Sequence, residues 1–467
     1  MSSKMDQDQD KPAVYSLAEV TASQVDRYRN ITSRHKERYG KFPDFLARAP
    51  GRVNIIGEHI DYSGYSVLPM AIQQDIVMAV STNNSGEINL TNTSSKYSDF
   101  TTSIKDFKIN STKPSWYNYF LCGVKGILEF SKLSDPVGLD VTVDGTVPPS
   151  AGLSSSSAMV CCAALSLMHA NKLAISKMEL ADICMRCEWY IGTQGGGMDQ
   201  AICFLAKEGY AKLVDFRPLR ATDVKLPTGF VFVIANTCVE MNKAATAHFN
   251  VRVVECRLAT QIIAKAKGLN WREIRSFGEL HKKLGLSLQE MLAVVEEILH
   301  QHPYEKKEVC QILGVTDEEL NKESLSANTL DVEQFKLYNR SKHVFSEAER
   351  VESLRHGNIT EGSTLGRILF DGHHSGSVLY ECSCKELDEL VEICRNAGAI
   401  GSRLTGAGWG GCTISIVPET LADSFLAEVR SKYFEVDPKR LERVDQNLFV
   451  TQPGNGAHLV EDNFAEF

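Results

Sequence analysis

The sequence predicts an α+β chain folded as two lobes with a cleft between them. Three observations carry this expectation: a Gly-rich region mixing strand and helix patterns from Phe45 to Val239, a strongly helical stretch from Asn250 to Arg355, and a late strand directly after a further Gly-rich turn. In the first region Asp75 to Val80 is an apolar run, and Leu139, Val141 and Val143 alternate, as strands do. Ala158 to Ala170 is apolar apart from Ser166 and His169. It reads as a buried helix, short of the roughly 20 residues of a membrane span. Ser176 and Glu179 form a capping box, and Leu180, Ile183, Cys184, Cys187, Tyr190 and Ile191 continue as a helix. In the helical stretch Leu288, Met291, Leu292, Val295 and Leu299 recur at helical spacing, and Thr316 with Glu319 is a second capping box. A helix over 386–396 and the alternating Cys412, Ile414 and Ile416 follow, which with Phe230 to Ala235 make a second α+β unit. The expected division is a disordered tail and lead-in over 1–35, an N-terminal lobe over 36–240, and a C-terminal lobe over 241–467 that includes the helical segment 250–355.

The chain has 467 residues, 43% hydrophobic and 23% charged, an ordinary globular composition. Its formal net charge of −9 disfavours nucleic-acid binding, which needs a basic surface. Met1 to Lys11 is polar with no apolar core, so it reads as disordered and not as a secretory signal. Thirteen cysteines are scattered, with Cys161 and Cys162 adjacent inside the apolar helix, which fits reduced thiols and a cytoplasmic location. Cys382 and Cys384, downstream of His373 and His374, lack a second ligand pair at zinc spacing and read as structural cysteines near a helix start. A monomer acting on a small molecule, with neither nucleic acid nor membrane as partner, is expected.

Three glycine-bearing constellations carry the chemistry. In PGRVNIIGEHIDYSGYSVLPM, from Pro50 to Met70, the ionisable Arg52, Glu58, His59 and Asp61 lie beside Val53, Ile55 and Ile56. They suit the reading of sugar hydroxyls, or simply a solvated hairpin turn. In VPPSAGLSSSSAMVCCAALSLM a Pro-Pro-Gly loop runs through Ser154, Ser155, Ser156 and Ser157 into the apolar helix. Four serines exceed what one N-cap requires, and the backbone from Gly152 onward with the helix N-terminus would suit phosphate. No Walker lysine is present. In GTQGGGMDQ, Asp199 follows Gly195, Gly196 and Gly197, where bare backbone lets a substrate approach the carboxylate. Glu188, on the preceding helix, reads equally as an exposed residue or as one facing a cation. The third turn, SRLTGAGWGGCTISIV, permits close backbone approach whether or not a ligand is present.

In this order the segments resemble the GHMP kinase superfamily and, within it, the galactokinase branch. RAPGRVNIIGEHIDY resembles the galactokinase signature, PPSAGLSSSSA the phosphate-binding motif and GSRLTGAGWGGCT the third motif. The resemblance runs from about Phe45 to Gly456 and is closest to the members that phosphorylate N-acetylgalactosamine, through GTQGGGMDQ, VIANTCVEMNKAATAHFNVRVVECR and LYECSCKELDEL. It implies an N-terminal lobe of ribosomal-S5-like topology, an α+β C-terminal lobe, an active site in the cleft, and ATP with Mg2+. It further implies Asp199 as the base with Arg52 beside it, and a sugar site of Arg52, Glu58, His59, Asp61, Gly196, Asp199 and Phe249. Gly152, Ser154, Ser155, Ser156, Ser157, Asn242 and Lys243 would meet ATP. Ser156 and Glu188 would hold magnesium. One departure stands out: where many galactokinases carry an Arg-Asp pair in a SHxSLRDDYEVS-like segment, this chain has Ser377 and Val378.

The expected activity is ATP-dependent phosphorylation of the anomeric hydroxyl of N-acetylgalactosamine, with galactose used at higher concentration. Phe249 sets that expectation, because galactokinases typically carry there a tyrosine whose hydroxyl can bond the sugar; the loop from Ser63 to Ser66 is the other candidate determinant. The alternatives are a galactokinase proper and a non-catalytic sensor of galactose and ATP. Such sensors lack the Ser-Ala step at the end of the phosphate loop, and Ser157-Ala158 is present here.

Overall fold

Long buried runs build the first sheet of the computed structural model, which describes residues 10–192, 195–216, 218–239, 247–356 and 362–467. Its strands are β1 (Ala13–Tyr15), β2 (Phe45–Ile56), β3 (Leu68–Asn83), β4 (Glu87–Asn92), β5 (Phe100–Ser103) and β6 (Gly138–Gly145), joined by the last strand of the chain. β2 is buried along its whole length, as a strand covered on both faces must be. The helices of this lobe are α1 (Ala22–Tyr39), α2 (Trp116–Ser131), α3 (Ser155–Ala170), α4 (Lys177–Cys187) and α5 (Met198–Leu205). α3 is apolar nearly all round and sits in the core against β2, β3 and α2, the only environment that suits such a helix. α4 opens on its sequence-predicted box: Ser176 Oγ accepts from Glu179 N at 3.2 Å, and the Glu179 carboxylate accepts from Ser176 N at 2.9 Å.

A hairpin of β7 (Tyr210–Phe216) and β8 (Leu219–Lys225) leads to the second sheet. That sheet is antiparallel and comprises β9 (Phe230–Asn236), β10 (Gly401–Thr405), β11 (Cys412–Pro418) and β12 (Leu448–Thr451), in the order β10-β11-β9-β12. Between β9 and β10 the chain is mostly helical, with α6 (His248–Ala266), α7 (Leu337–His356), α8 (Gly362–His374) and α9 (Lys385–Asn396) framing the site. The expected helix near Leu288 forms over Leu288–Ile298, and Thr316 caps Asp317–Glu323 in the predicted box. Cys384 is the N-cap of α9.

Two features correct the expected division. The lead-in is ordered: β1 is a strand, and α1 buries Tyr28, Ile31, Thr32 and His35. Polar bonds hold α1, with His35 reaching Thr142 Oγ1 at 3.1 Å and Ser81 Oγ at 2.9 Å, so the helix shows little apolar periodicity. The end of the chain, β13 (His458–Val460), lies in the first sheet, parallel to β1 and antiparallel to β2. It covers an edge that β2 would otherwise expose.

The two sheets meet through shared core. One apolar cluster runs from Val53, Ile55 and Ile56 of β2 through α6 and α7 to Leu404 and Ile414. Thr405 Oγ1 accepts from Asn54 N at 2.9 Å and donates to Asn54 O at 3.1 Å, clipping β10 to β2. Among the described residues no helix is long and apolar enough to cross a membrane.

Candidate active site

The register of β2 against β3 shifts between Pro50 and Arg52, a bulge of the kind that re-aims a side chain. Arg52, 2% exposed, donates through Nε to Asp199 Oδ1 at 2.7 Å and through Nη1 to the carbonyl of Gly152. Asp199 stands in the first turn of α5, so its carboxylate faces both a guanidinium and a helix N-terminus. Its Oδ2 accepts from Ser157 Oγ at 3.4 Å, and Ser157 in turn accepts from Gln200 Nε2 at 3.4 Å. Here the geometry departs from the sequence reading. Ser157, expected among the ATP ligands, is buried behind Asp199, while Ser154, Ser155 and Ser156 line the cleft.

After β2 the chain turns at Gly57, whose φ of +108° and whose distance of 2.9 Å from a notional Cβ to Val67 leave no room for a side chain. This turn delivers Glu58, His59 and Asp61 to the cleft. Asp61 Oδ2 accepts from Gly196 N at 3.1 Å, joining the turn to the triple glycine. Glu58 is buried and accepts from Gly406 N at 2.7 Å. Burial pushes its carboxyl up to about 7, against the downward pull of Arg403, Arg52 and the Gly406 N–H. His59 Nε2 lies 2.9 Å from the Ala407 carbonyl, which can only accept, and Nδ1 lies 2.9 Å from Tyr62 Oη. In a neutral ring Tyr62 therefore donates to Nδ1. Tyr62 is backed by Tyr380 at 2.5 Å, and Tyr380 by Cys256 Sγ at 3.3 Å. Both ring nitrogens of His59 are thus engaged within the protein, and its ring forms an aromatic wall with Phe249 at 5.6 Å and Tyr62 at 5.9 Å between centroids. Phe249, in the first turn of α6, is 7% exposed and packs with Val253 and Ala407.

The loop before α3 is held by the third motif. A Cβ on Gly406 would lie 2.5 Å from Gly152 O, so the two loops touch through bare backbone. Ser154, just before α3, has a φ of +60°, a left-handed conformation that costs about 1–3 kcal/mol in a non-glycine residue. Among the described residues its buried Oγ has no hydrogen-bond partner. An oriented helix N-terminus with hydroxyls beside it is an anion cradle. Glu188, at the C-terminal end of α4 and 8% exposed, lines the same cleft as Ser156. A hydroxyl and a carboxylate are hard oxygen donors of the kind magnesium takes together with phosphate oxygens. Among the described residues no three His, Cys, Asp or Glu side chains cluster as a metal site on their own. Asn242 and Lys243 lie outside the described residues.

The cleft has a volume of about 400 Å³ and extends to residues the sequence did not single out: Asn92 at the end of β4, Thr93 and Ser94 after it, Tyr97, and Trp116 and Tyr119 of α2. Nothing in their local pattern separates them from ordinary core and loop residues. Around the missing Arg-Asp pair, Ser377 Oγ donates to Asp388 Oδ2 at 3.2 Å, and Val378 is exposed.

The segments that line the cleft match families of known proteins. The galactokinase galactose-binding signature matches residues 33–82, the GHMP kinase N-terminal domain 118–207 and the GHMP kinase C-terminal domain 352–435. The chain is 39% identical to a galactokinase of Dictyostelium discoideum, covering 95% of this chain and 98% of that one. It is 34% identical to a galactokinase of Saccharomyces cerevisiae, covering 96% and 97%. In fold it is similar to the Lactococcus lactis galactokinase complexed with galactose, with a TM-score of 0.72 at 24% identity over 92% of this chain and 98% of that one. A Methanococcus jannaschii mevalonate kinase shares the fold more distantly, with a TM-score of 0.55 at 16% identity over 88% and 98%. The chain belongs to the galactokinase branch of the GHMP kinases.

Proposed function

We propose that the protein transfers the γ-phosphoryl group of ATP to the anomeric hydroxyl of galactose. The observation that carries this reading is the Arg52–Asp199 pair at 2.7 Å, set between a turn of hydrogen-bonding side chains and a serine-lined helix N-terminus. The galactokinase names of its relatives support galactose as the sugar.

Phosphoryl transfer asks of a protein mainly alignment and charge neutralisation. Glu58, Asp61 and the Gly196 backbone would orient the sugar, with His59 and Phe249 as its walls. The anomeric oxygen forms the bond to phosphorus as the bridging bond to ADP breaks, and ADP leaves with that electron pair. The hydroxyl proton passes to the Asp199 carboxylate and then to solvent. Ser155, Ser156 and the N-terminus of α3 would hold the phosphates. Ser156 and Glu188 would hold magnesium, which when bound neutralises phosphate charge.

A second reading, preference for N-acetylgalactosamine, is favoured by Phe249. Without a hydroxyl it offers an apolar wall, with Val253 and Ala407, against which an acetamido methyl fits. A methyl-sized contact is worth about 1–3 kcal/mol, so both sugars should be used. The test is ADP release with galactose, N-acetylgalactosamine and mevalonate side by side. Turnover with the two sugars and none with mevalonate is expected, whereas no sugar-dependent ADP would leave the sensor reading standing. If kcat/KM for galactose equals or exceeds that for N-acetylgalactosamine, the acetamido preference is wrong.

A further inference from the structure

The turn that carries Glu58, His59 and Asp61 has its own backbone held from a distant helix. Glu347 of α7 is fully buried, and its Oε1 accepts from Gly57 N at 2.9 Å and from Glu58 N at 3.1 Å. Arg403 of β10 donates to the same oxygen at 2.7 Å, and Arg350 Nε donates to Oε2 at 2.8 Å. One turn earlier on α7, His343 Nε2 donates to the Glu58 carbonyl at 3.0 Å, its orientation set by Ser375 Oγ at 2.9 Å from Nδ1. Both backbone N–H groups and the carbonyl around the Gly57–Glu58 peptide are therefore gripped by one helix face, while the Glu58 side chain points to Gly406.

We propose that Glu347 and His343 are positioning residues for sugar recognition, fixing the turn whose side chains read the sugar. This inference rests on the sugar kinase reading. A carboxylate with four donors is fully satisfied, yet a buried ion pair by itself adds little stability over apolar packing. Its particular effect is directional: two adjacent N–H groups aimed at one oxygen fix the peptide plane. The phosphate cradle has no bond to either residue among the described hydrogen bonds, so nucleotide binding should be indifferent to them.

The test is the split between the two Michaelis constants. Glu347→Ala should raise the galactose KM by about tenfold or more, as for loss of charge-assisted bonds, with the nucleotide KM within about twofold. Glu347→Gln keeps an acceptor for the two N–H groups and should recover part of that loss. His343→Ala should shift the same constant in the same direction. Lys342→Ala, also on α7, removes only a surface pair with Glu296 of the Leu288–Ile298 helix and should leave both constants unchanged. Folded variants with an unaltered galactose KM, or with both constants raised together, would overturn the assignment. If Glu347→Ala does not fold, His343→Ala decides by the same criterion. A parent enzyme that releases no ADP with galactose would count against the sugar kinase reading itself. The turn is then judged by calorimetric galactose binding to the same variants, a loss of about tenfold supporting it and unchanged affinity overturning it.

Discussion

Asp199 and Glu58 are two carboxylates of one cleft with opposite surroundings. Asp199 faces a guanidinium and a helix N-terminus, and Asp199→Asn keeps the shape while removing the proton acceptor. The expected outcome is a fall in kcat of about a hundredfold or more with both Michaelis constants little changed, measured by steady-state kinetics. Near-parental turnover would remove Asp199 from the role of base. Glu58 is pushed by burial from 4.5 to about 7, so the native state holds a proton that the unfolded chain gives up. Stability contributed by the neutral form is lost as pH rises from about 4.5 through 7, and above that the full cost, about 3 kcal/mol, applies. Glu58→Gln should therefore gain stability over the parent between pH 5 and pH 8 in denaturant titrations. A difference that does not vary with pH would contradict this origin. Both residues were legible from their motif, whereas Glu347 and His343 lie in none, and Arg403, inside the third motif, carried no signal that set it apart from its neighbours. They are ordinary charged and polar letters in a helix and a strand, and only folding shows that no solvent reaches them.

At the scale of elements, the proposed reading puts the nucleotide at the N-terminus of α3 and the sugar at the turn after β2. Ser155→Ala and Ser156→Ala should raise the nucleotide KM and leave galactose affinity without nucleotide unchanged, as read by calorimetry. Lost sugar binding with intact ATP affinity would reverse the assignment of the loop. The sequence announced α3 by its apolar run and its serines, and announced the capped helices by their boxes, because these signals are local. Ser157 shows where local reading ends. It belongs to the serine run, but a helix turns each successive side chain by about 100°, and the third serine of α3 meets Asp199 and not the cleft. α1 was missed for a related reason, since much of its anchoring is polar. Its apolar stripe is only Tyr28 and Ile31, and His35 with Arg27 completes the attachment to Ser81, Thr142, Asp75 and Asp144.

For the whole molecule, two lobes and the cleft between them were legible from the change of pattern near residue 250, but the contacts that close them were not. The return of β13 to the first sheet joins positions more than four hundred residues apart, a pairing that three residues, His458–Val460, cannot announce. Asn54 of β2 and Thr405 of β10 stand 351 residues apart, and their clip brings the third glycine turn onto the loop before α3. On the proposed reading catalysis would depend on that closure, because the turn bearing Glu58 belongs to the first lobe and Gly406, which bonds it, to the second. Its product is the most direct readout. Incubation of the purified protein with ATP, magnesium and galactose, followed by phosphorus NMR, should give a single sugar phosphate bearing the α-anomeric linkage at carbon 1, equal in amount to the ADP formed. Phosphate on any other hydroxyl, or ADP without a sugar phosphate, would contradict the account.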